Sequence, residues 1–383
     1  MVVWHDFCLN IKEMRDMIIT ALILLLSLFG FSQEWHYRRQ LNFPRTGLSC
    51  QVVNGRIYAI GGKNERQVLG ICEEYDPVRD TWVVKRPMPT PRYGAVSGVW
   101  ENKIYVIGGD TSPFFSSPTN VIEVYDPERD TWEKINSFLP TPRSGIGGCA
   151  LGPYIFIMGG SKRGEHVTDT VEVYDILGNS WLIKKSMITP RMHFAAVAER
   201  RIYALGGLYQ GPISLCEGYN ESLDFWYPIR RLPCARFLTA GCAYEGKIFL
   251  IGGITGQGKP SNKVKFYIPE MDTWVEYPPI NRARAGLGAC TLNGEIYAIG
   301  GDSMGVPLGI TEMTQPSGIG EEIKRVEGKR LITFWKREKK FPLEKGEEML
   351  NILGKKIFGE RLKRGVYFLY RKGERVKRKI VIY

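Results

Sequence analysis

Charged and aromatic side chains cluster at two kinds of place in this 383-residue sequence: after a recurring Gly-Gly pair and after a recurring arginine. The first set is Lys63, Asn64, Arg66, Asp110, Lys162, Arg163, Tyr209, Gln210 and Asp302. The second is Tyr93, Ser144, His193 and Phe237. Ammonium and guanidinium groups among aromatic rings suit recognition of a polar ligand by charge and stacking. Acid–base chemistry would need two carboxyls that converge, and Glu65, Asp110, Glu165 and Asp302 could supply one. The longest stretch after a glycine pair is DTSPFFSSPTN, Asp110–Asn120. It sets Phe114 and Phe115 among Ser and Pro with no alternation to bury them in a strand. An exposed aromatic pair there would bind a peptide or glycan. The alternative is that both rings fold down as a cover.

Other chemistries find little support. Beyond residue 32 the histidines are His36, His166 and His193. Lone histidines of this kind are not a ligand set, so no metal is expected. P-loop, GxSxG and HExxH patterns are absent, and no cofactor is expected. Eight cysteines occur, with no CxxC. Cys50, Cys149, Cys242 and Cys290 read as one shared strand position, and Cys72 and Cys216 as another. Symmetry-related positions are poor partners, so no disulfide framework is expected.

These candidates need elements to carry them, and the elements repeat. The second glycine of each pair falls at Gly62, Gly109, Gly160, Gly207, Gly253 and Gly301. Gly61, Gly108 and Gly159 precede the first three. A tyrosine follows each of the first five pairs, beginning with Tyr75, Tyr125 and Tyr174, and a tryptophan stands seven residues further on, as at Trp82, Trp132 and Trp181. Arg92, Arg143, Arg191, Arg236 and Arg284 follow in turn. Each unit reads as four strands, a to d, with Asn54-Gly55 as a hairpin turn and Asp76–Asp80 as a second turn. Four strands in about 48 residues make one propeller blade. The tyrosines and tryptophans are expected to pack between blades, and the arginines to tie neighbouring blades through backbone carbonyls.

The sixth unit has its glycines but no tryptophan. Trp35 lies ten residues before Arg45, the spacing seen elsewhere. Gln33–Leu41 is therefore expected to supply the outer strand of the sixth blade and close the ring. The two loop sets named above would then lie together around the central channel.

The double glycines, the YDP…DTW blocks (Tyr75–Trp82, Tyr125–Trp132) and the Pro-Arg pairs resemble the kelch-repeat β-propellers over about residues 33–316. The resemblance implies an all-β six-bladed propeller that binds its ligand through loops around the channel. Some six-bladed kelch propellers of bacterial envelopes are sialic-acid mutarotases, so a sugar mutarotase or epimerase is the rival reading. A deep channel with a buried carboxylate opposite an arginine would favour the enzyme; a rim with an exposed Phe114 would favour the binder. Kelch copper radical oxidases need a Tyr/His/Cys constellation not evident here.

The ends of the chain differ from the body. Met17–Phe29 is an apolar run of signal-peptide length, followed by Gly30-Phe31-Ser32, so residues 1–32 read as a signal peptide. The chain carries 52 Lys and Arg against 40 Asp and Glu, of which residues 317–383 hold 20 and nine. The basic excess thus belongs to the tail. Residues 317–328 read as a linker, and 329–383 as a small sandwich-like β-domain with alternating runs at Lys329–Trp335, Met349–Phe358, Gly365–Gly373 and Arg375–Tyr383. Glu347–Tyr383 resembles the C-terminal sorting domains of the type IX secretion system. Alternation places its charges on a solvated sheet face, which speaks against a nucleic-acid partner. Together these features imply a secreted or cell-surface monomer. Its expected partners are a protein or glycan ligand and the secretion machinery, with no membrane span after cleavage.

Overall fold

The computed structural model describes residues 34–114, 117–162 and 166–316, with the backbone of three further strands, Glu347–Asn351, Gly365–Arg371 and Arg378–Ile382. Residues 34–316 form six four-stranded sheets. Blade one consists of Ser49–Val53, Arg56–Ile60, Cys72–Asp76 and Thr81–Lys85, each antiparallel to the next. The inner strands of the other blades are Val96–Trp100, Gly147–Leu151, Ala195–Ala198, Ala240–Tyr244 and Gly288–Leu292. All six line one central channel of about 470 Å³.

Blade six is completed from the other end of the propeller sequence. His36–Arg38 pairs antiparallel with Thr311–Met313, Tyr37 lying opposite Glu312. Trp35 anchors this short strand. Its indole Nε1 donates to the Pro278 carbonyl at 2.9 Å, and its ring meets Tyr277 edge-on at 6.4 Å. Two further bonds cross the seam: Leu41 N–H to Gly309 O (2.8 Å) and Gly47 N–H to Gly286 O (2.8 Å). The expected closure is present, in three strand residues rather than nine.

The repeated residues hold the blades in two ways. Tyr75 donates its hydroxyl to Asp80 Oδ1 at 2.6 Å, and the same oxygen accepts the Arg39 N–H from the preceding outer strand at 2.9 Å. Trp82 Nε1 donates back to Arg39 O at 2.9 Å. Tyr125, Asp130 and Trp132 repeat the pattern with Arg86. Asp80 and Asp130 adopt φ of +51°, the left-handed conformation that Asp and Asn tolerate best.

The arginines behave differently from expectation. Their side chains turn into their own blades, not towards the neighbours. Arg45 pairs with Glu73, Arg92 with Glu123 (3.0 Å), Arg143 with Glu172 (2.6 Å), Arg191 with Glu217 and Arg284 with Glu312 (2.8 Å), all buried. Burial of a guanidinium is tolerable because the carboxylate and strand carbonyls satisfy it. The tie between blades is the arginine's own backbone. Gly62 N–H donates to Arg92 O (3.0 Å), and Gly301 N–H to Arg45 O (2.9 Å). A Cβ on Gly61 would stand 2.5 Å from Arg92 O, which is why a glycine is needed there.

Cys50 is also out of the expected register. It lies opposite Ala59, whereas Cys149, Cys242 and Cys290 lie opposite Phe156, Phe249 and Tyr297. Gln51, opposite Tyr58, is their true counterpart.

The three C-terminal strands form one antiparallel sheet in the order of the sequence. The expected run at Lys329–Trp335 and the signal-peptide segment lie outside the described residues. Among the described residues no helix is long and apolar enough to cross a membrane.

Candidate functional site

At one end of the channel every blade repeats the same construction. The residue after the glycine pair exchanges backbone hydrogen bonds with one residue of the loop that enters strand a. These bridges are Thr46–Lys63, Tyr93–Asp110, Ser144–Ser161, Met192–Leu208, Phe237–Ile254 and Ala285–Asp302. They bring the two sequence-derived loop sets together. The next residue along is left-handed in all six blades: Gly47, Gly94, Gly145, His193, Leu238 and Gly286, with φ between +53° and +66°. These six residues floor a cavity of about 450 Å³ at the channel mouth.

Lys63 lies at the centre of the charged wall. Its Nζ donates to Pro113 O at 2.9 Å and stands 4.4 Å above the Tyr93 ring. Burial lowers its pKa, opposed by the nearby Asp110 and Asp302 carboxylates. Burial raises the pKa of Asp302, against the Gly305 N–H and Lys63, which favour its ionised form. Asp110 is 1% exposed, and its carboxylate is occupied. It accepts from Ser144 Oγ, from Ser112 N–H at 2.8 Å and from Ser117 N–H at 3.3 Å. It shapes the 110–120 loop and is poorly placed to act as a base.

His193 fills the bottom of the mouth. A Cβ on Gly145 would stand 2.8 Å from its imidazole, so the ring lies directly over that glycine. Burial, with Lys63 nearby, pushes its pKa down to about 4. The ring is therefore neutral near pH 7 and offers a hydrogen-bonding edge rather than a charge. A non-glycine residue in the left-handed region costs on the order of 1–2 kcal/mol, and such outliers concentrate at functional positions.

Of the candidates read from sequence, Lys63, Arg66, Tyr93, Asp110, Phe114, His193 and Asp302 line this cavity, with Asn64 and Glu65. Ser144 touches it through Asp110. Phe114 is 82% exposed and does not cover the blade. Lys162 and His166 pair in an exposed two-residue hairpin outside the lining. Tyr209 and Phe237 also lie outside it. Phe115, Arg163 and Glu165 are outside the described residues.

In two blades the mouth position lies one residue before the sequence candidate. In blades three and four the position equivalent to Lys63 is Ser161 and Leu208, not Lys162 and Tyr209. In blade five it is Ile254. The sequence signal is simple: the mouth position is the residue immediately after the second glycine. Leu238 was missed as well, being the left-handed residue that follows Phe237.

The channel below is lined by strand residues such as Ser49, Val96, Gly148, Ala196 and Cys242. No carboxylate or guanidinium is among its lining residues.

A model described as the KLHDC2/KLHL20/DRC7 Kelch-repeats domain matches residues 31–207, and the Kelch motif matches 235–281 and 283–313. Together they cover more than half of the chain. Kelch-like protein 36 of Bos taurus is 32% identical over 170 residues, 43% of this chain and 28% of that protein. Kelch-like protein 34 of Homo sapiens is 31% identical over 187 residues, 44% of this chain and 29% of that protein. The chain thus spans less than a third of the length of these relatives. The solved structure of YjhT shares the fold with a TM-score of 0.62 at 14% identity, covering 72% of this chain and 96% of its own. Repeats, register and family models agree: the chain belongs to the kelch-repeat family, and its residues 34–316 form a six-bladed kelch propeller.

Proposed function

We propose that this propeller is a binding module that takes a protein segment at the channel mouth. The observation that carries this reading is the cavity of about 450 Å³ with an exposed Phe114 at its edge and a half-buried Lys63 in its wall. Clefts of this size hold a few side chains of a partner. Phe114 and Leu238 would take an apolar group, while Lys63, Arg66 and Asp302 would pair with its polar neighbours. A glycan could use the same ring and charges, and becomes an arm of the test.

Export is the proposed setting. The apolar run Met17–Phe29 supports an N-terminal signal, and the alternating basic strands after residue 346 support a sorting-domain role.

A second reading, sugar mutarotation, rests on Asp302, a half-buried carboxyl with a raised pKa beside Lys63 and near the neutral His193. It is weaker because Asp110 is already occupied and the channel lining holds no carboxylate, which leaves Glu65 as the other carboxyl of the mouth.

The test is to probe peptide and glycan arrays with the full chain, alongside Lys63→Ala and Phe114→Ala, and to follow sugar anomer exchange by NMR. Peptide binding that falls tenfold or more in both variants is expected. Anomer turnover without peptide binding, abolished by Asp302→Asn, would reverse the order of the two readings.

A further inference from the structure

The register displacement of Cys50 has a chemical consequence. Blades one and six are neighbours across the seam, and Cys50 Sγ lies 3.3 Å from Cys290 Sγ, 240 residues away. Gly288 makes the approach possible. A Cβ there would stand 2.8 Å from Cys50 Cβ, so Cys50 rests on the bare backbone two residues before Cys290. All seven described cysteines are thiols in this structure, and both members of this pair line the central channel. Cys50 is the half-buried member and Cys290 the buried one.

We propose that Cys50 and Cys290 form a disulfide bond across the seam when the chain meets a disulfide oxidant. A shift of little more than 1 Å brings the sulfurs to the bond length of about 2.05 Å. The more accessible Cys50 thiolate attacks the donor RSSR, forming Cys50–S–SR and releasing RS⁻. The Cys290 thiolate then attacks Cys50 Sγ, forming the Cys50–Cys290 bond and releasing a second RS⁻. The protein is oxidised by two electrons and the donor reduced. The two thiol protons end on the two RSH molecules.

The bond would make the ring continuous through covalent links from blade one to blade six, independent of the three-residue strand His36–Arg38. Neither sulfur needs a CxxC spacing, because the closing of the ring supplies the proximity. The hydrogen bond to Cys50, and then burial, hold the Cys290 thiol well above its usual pKa. Burial persists once Cys50 is a mixed disulfide, so the second step should quicken as pH rises.

The experiment treats the reduced full chain with glutathione disulfide and maps the peptides under non-reducing conditions. Expected are a Cys50–Cys290 cross-linked peptide, loss of two of the eight thiols, and a Tm rise of about 5 °C or more. Cys290→Ala and Cys50→Ala should abolish the rise. Should either variant fail to fold, the cross-linked peptide of the unaltered chain still decides. Recovery of both thiols alkylated would overturn the proposal. So would a persistent glutathione adduct on Cys50, or a link from Cys290 to Cys242.

Discussion

His193 holds φ at +54° where four of the five equivalent positions around the mouth are glycine, and its imidazole packs over Gly145. The pKa near 4 has a defined consequence for stability. The unfolded imidazole titrates near 6.5, so the unfolded chain binds more protons between the two values. Stability is complete above about pH 6.5 and declines as pH falls towards 4, with a loss of ~1–2 kcal/mol after allowance for screening by the open cavity. His193→Gln should remove that part of the pH dependence in chemical denaturation measured from pH 4 to 7; an unchanged profile would contradict the burial of the ring. His193→Gly should alter stability by no more than about 1 kcal/mol, because relief of backbone strain offsets the lost contact. The same variant should weaken peptide binding, which a purely structural ring would not do. His193 was legible as a candidate from its place after Arg191, but its strained backbone was not. Nothing in a lone histidine distinguishes a left-handed residue; only comparison with Gly47, Gly94, Gly145 and Gly286 at the same position does so.

At the scale of the blade, one further position carries a repeat in the sequence. Glu73, Glu123, Glu172 and Glu217 each stand two residues before the repeated tyrosine, and each pairs with a buried arginine. Blade five breaks the rule with Lys265, and Arg236 there turns to the carbonyls of Gly252 (3.3 Å) and Lys263 (3.1 Å). Removing one partner leaves a buried charge, so Glu172→Gln should cost about 3–5 kcal/mol in denaturant unfolding. A cost below 1 kcal/mol would show that strand carbonyls alone satisfy Arg143. Restoring the pattern with Lys265→Glu should stabilise by about 0.5–2 kcal/mol. Its present partner Glu276 is largely exposed and free to turn towards water; a lowered Tm would refute this. The strand pattern and the glycine turns were plain in the sequence because backbone sterics fix them. The course of the arginine side chains was not, since a long chain can reach its own blade or the next from the same Cα. The offset of Cys50 is legible in the spacing, five residues after Arg45 against six after Arg143, Arg236 and Arg284 for Cys149, Cys242 and Cys290, and its pairing with Ala59 shows what that offset means.

For the whole molecule, closure and site are one problem. Lys63 belongs to blade one and Asp302 to blade six, so the charged wall of the mouth is assembled across the seam. That seam rests on Trp35, the pairing of His36–Arg38 with Thr311–Met313, and the bonds from Leu41 and Gly47. The missing sixth tryptophan and the displaced Trp35 made this closure legible. The content of the mouth was less so, because loop side chains obey no repeat. The most direct test is native-state hydrogen exchange of the full chain, read at the hydrogen-bonded amides of His36–Arg38 and their partners in Thr311–Met313. They should exchange together, with protection close to that of the inner strands, because loss of the outer strand opens the ring. Exchange of His36–Arg38 at free-peptide rates, with Thr311–Met313 still protected, would contradict the closure and with it the mouth assembled across it.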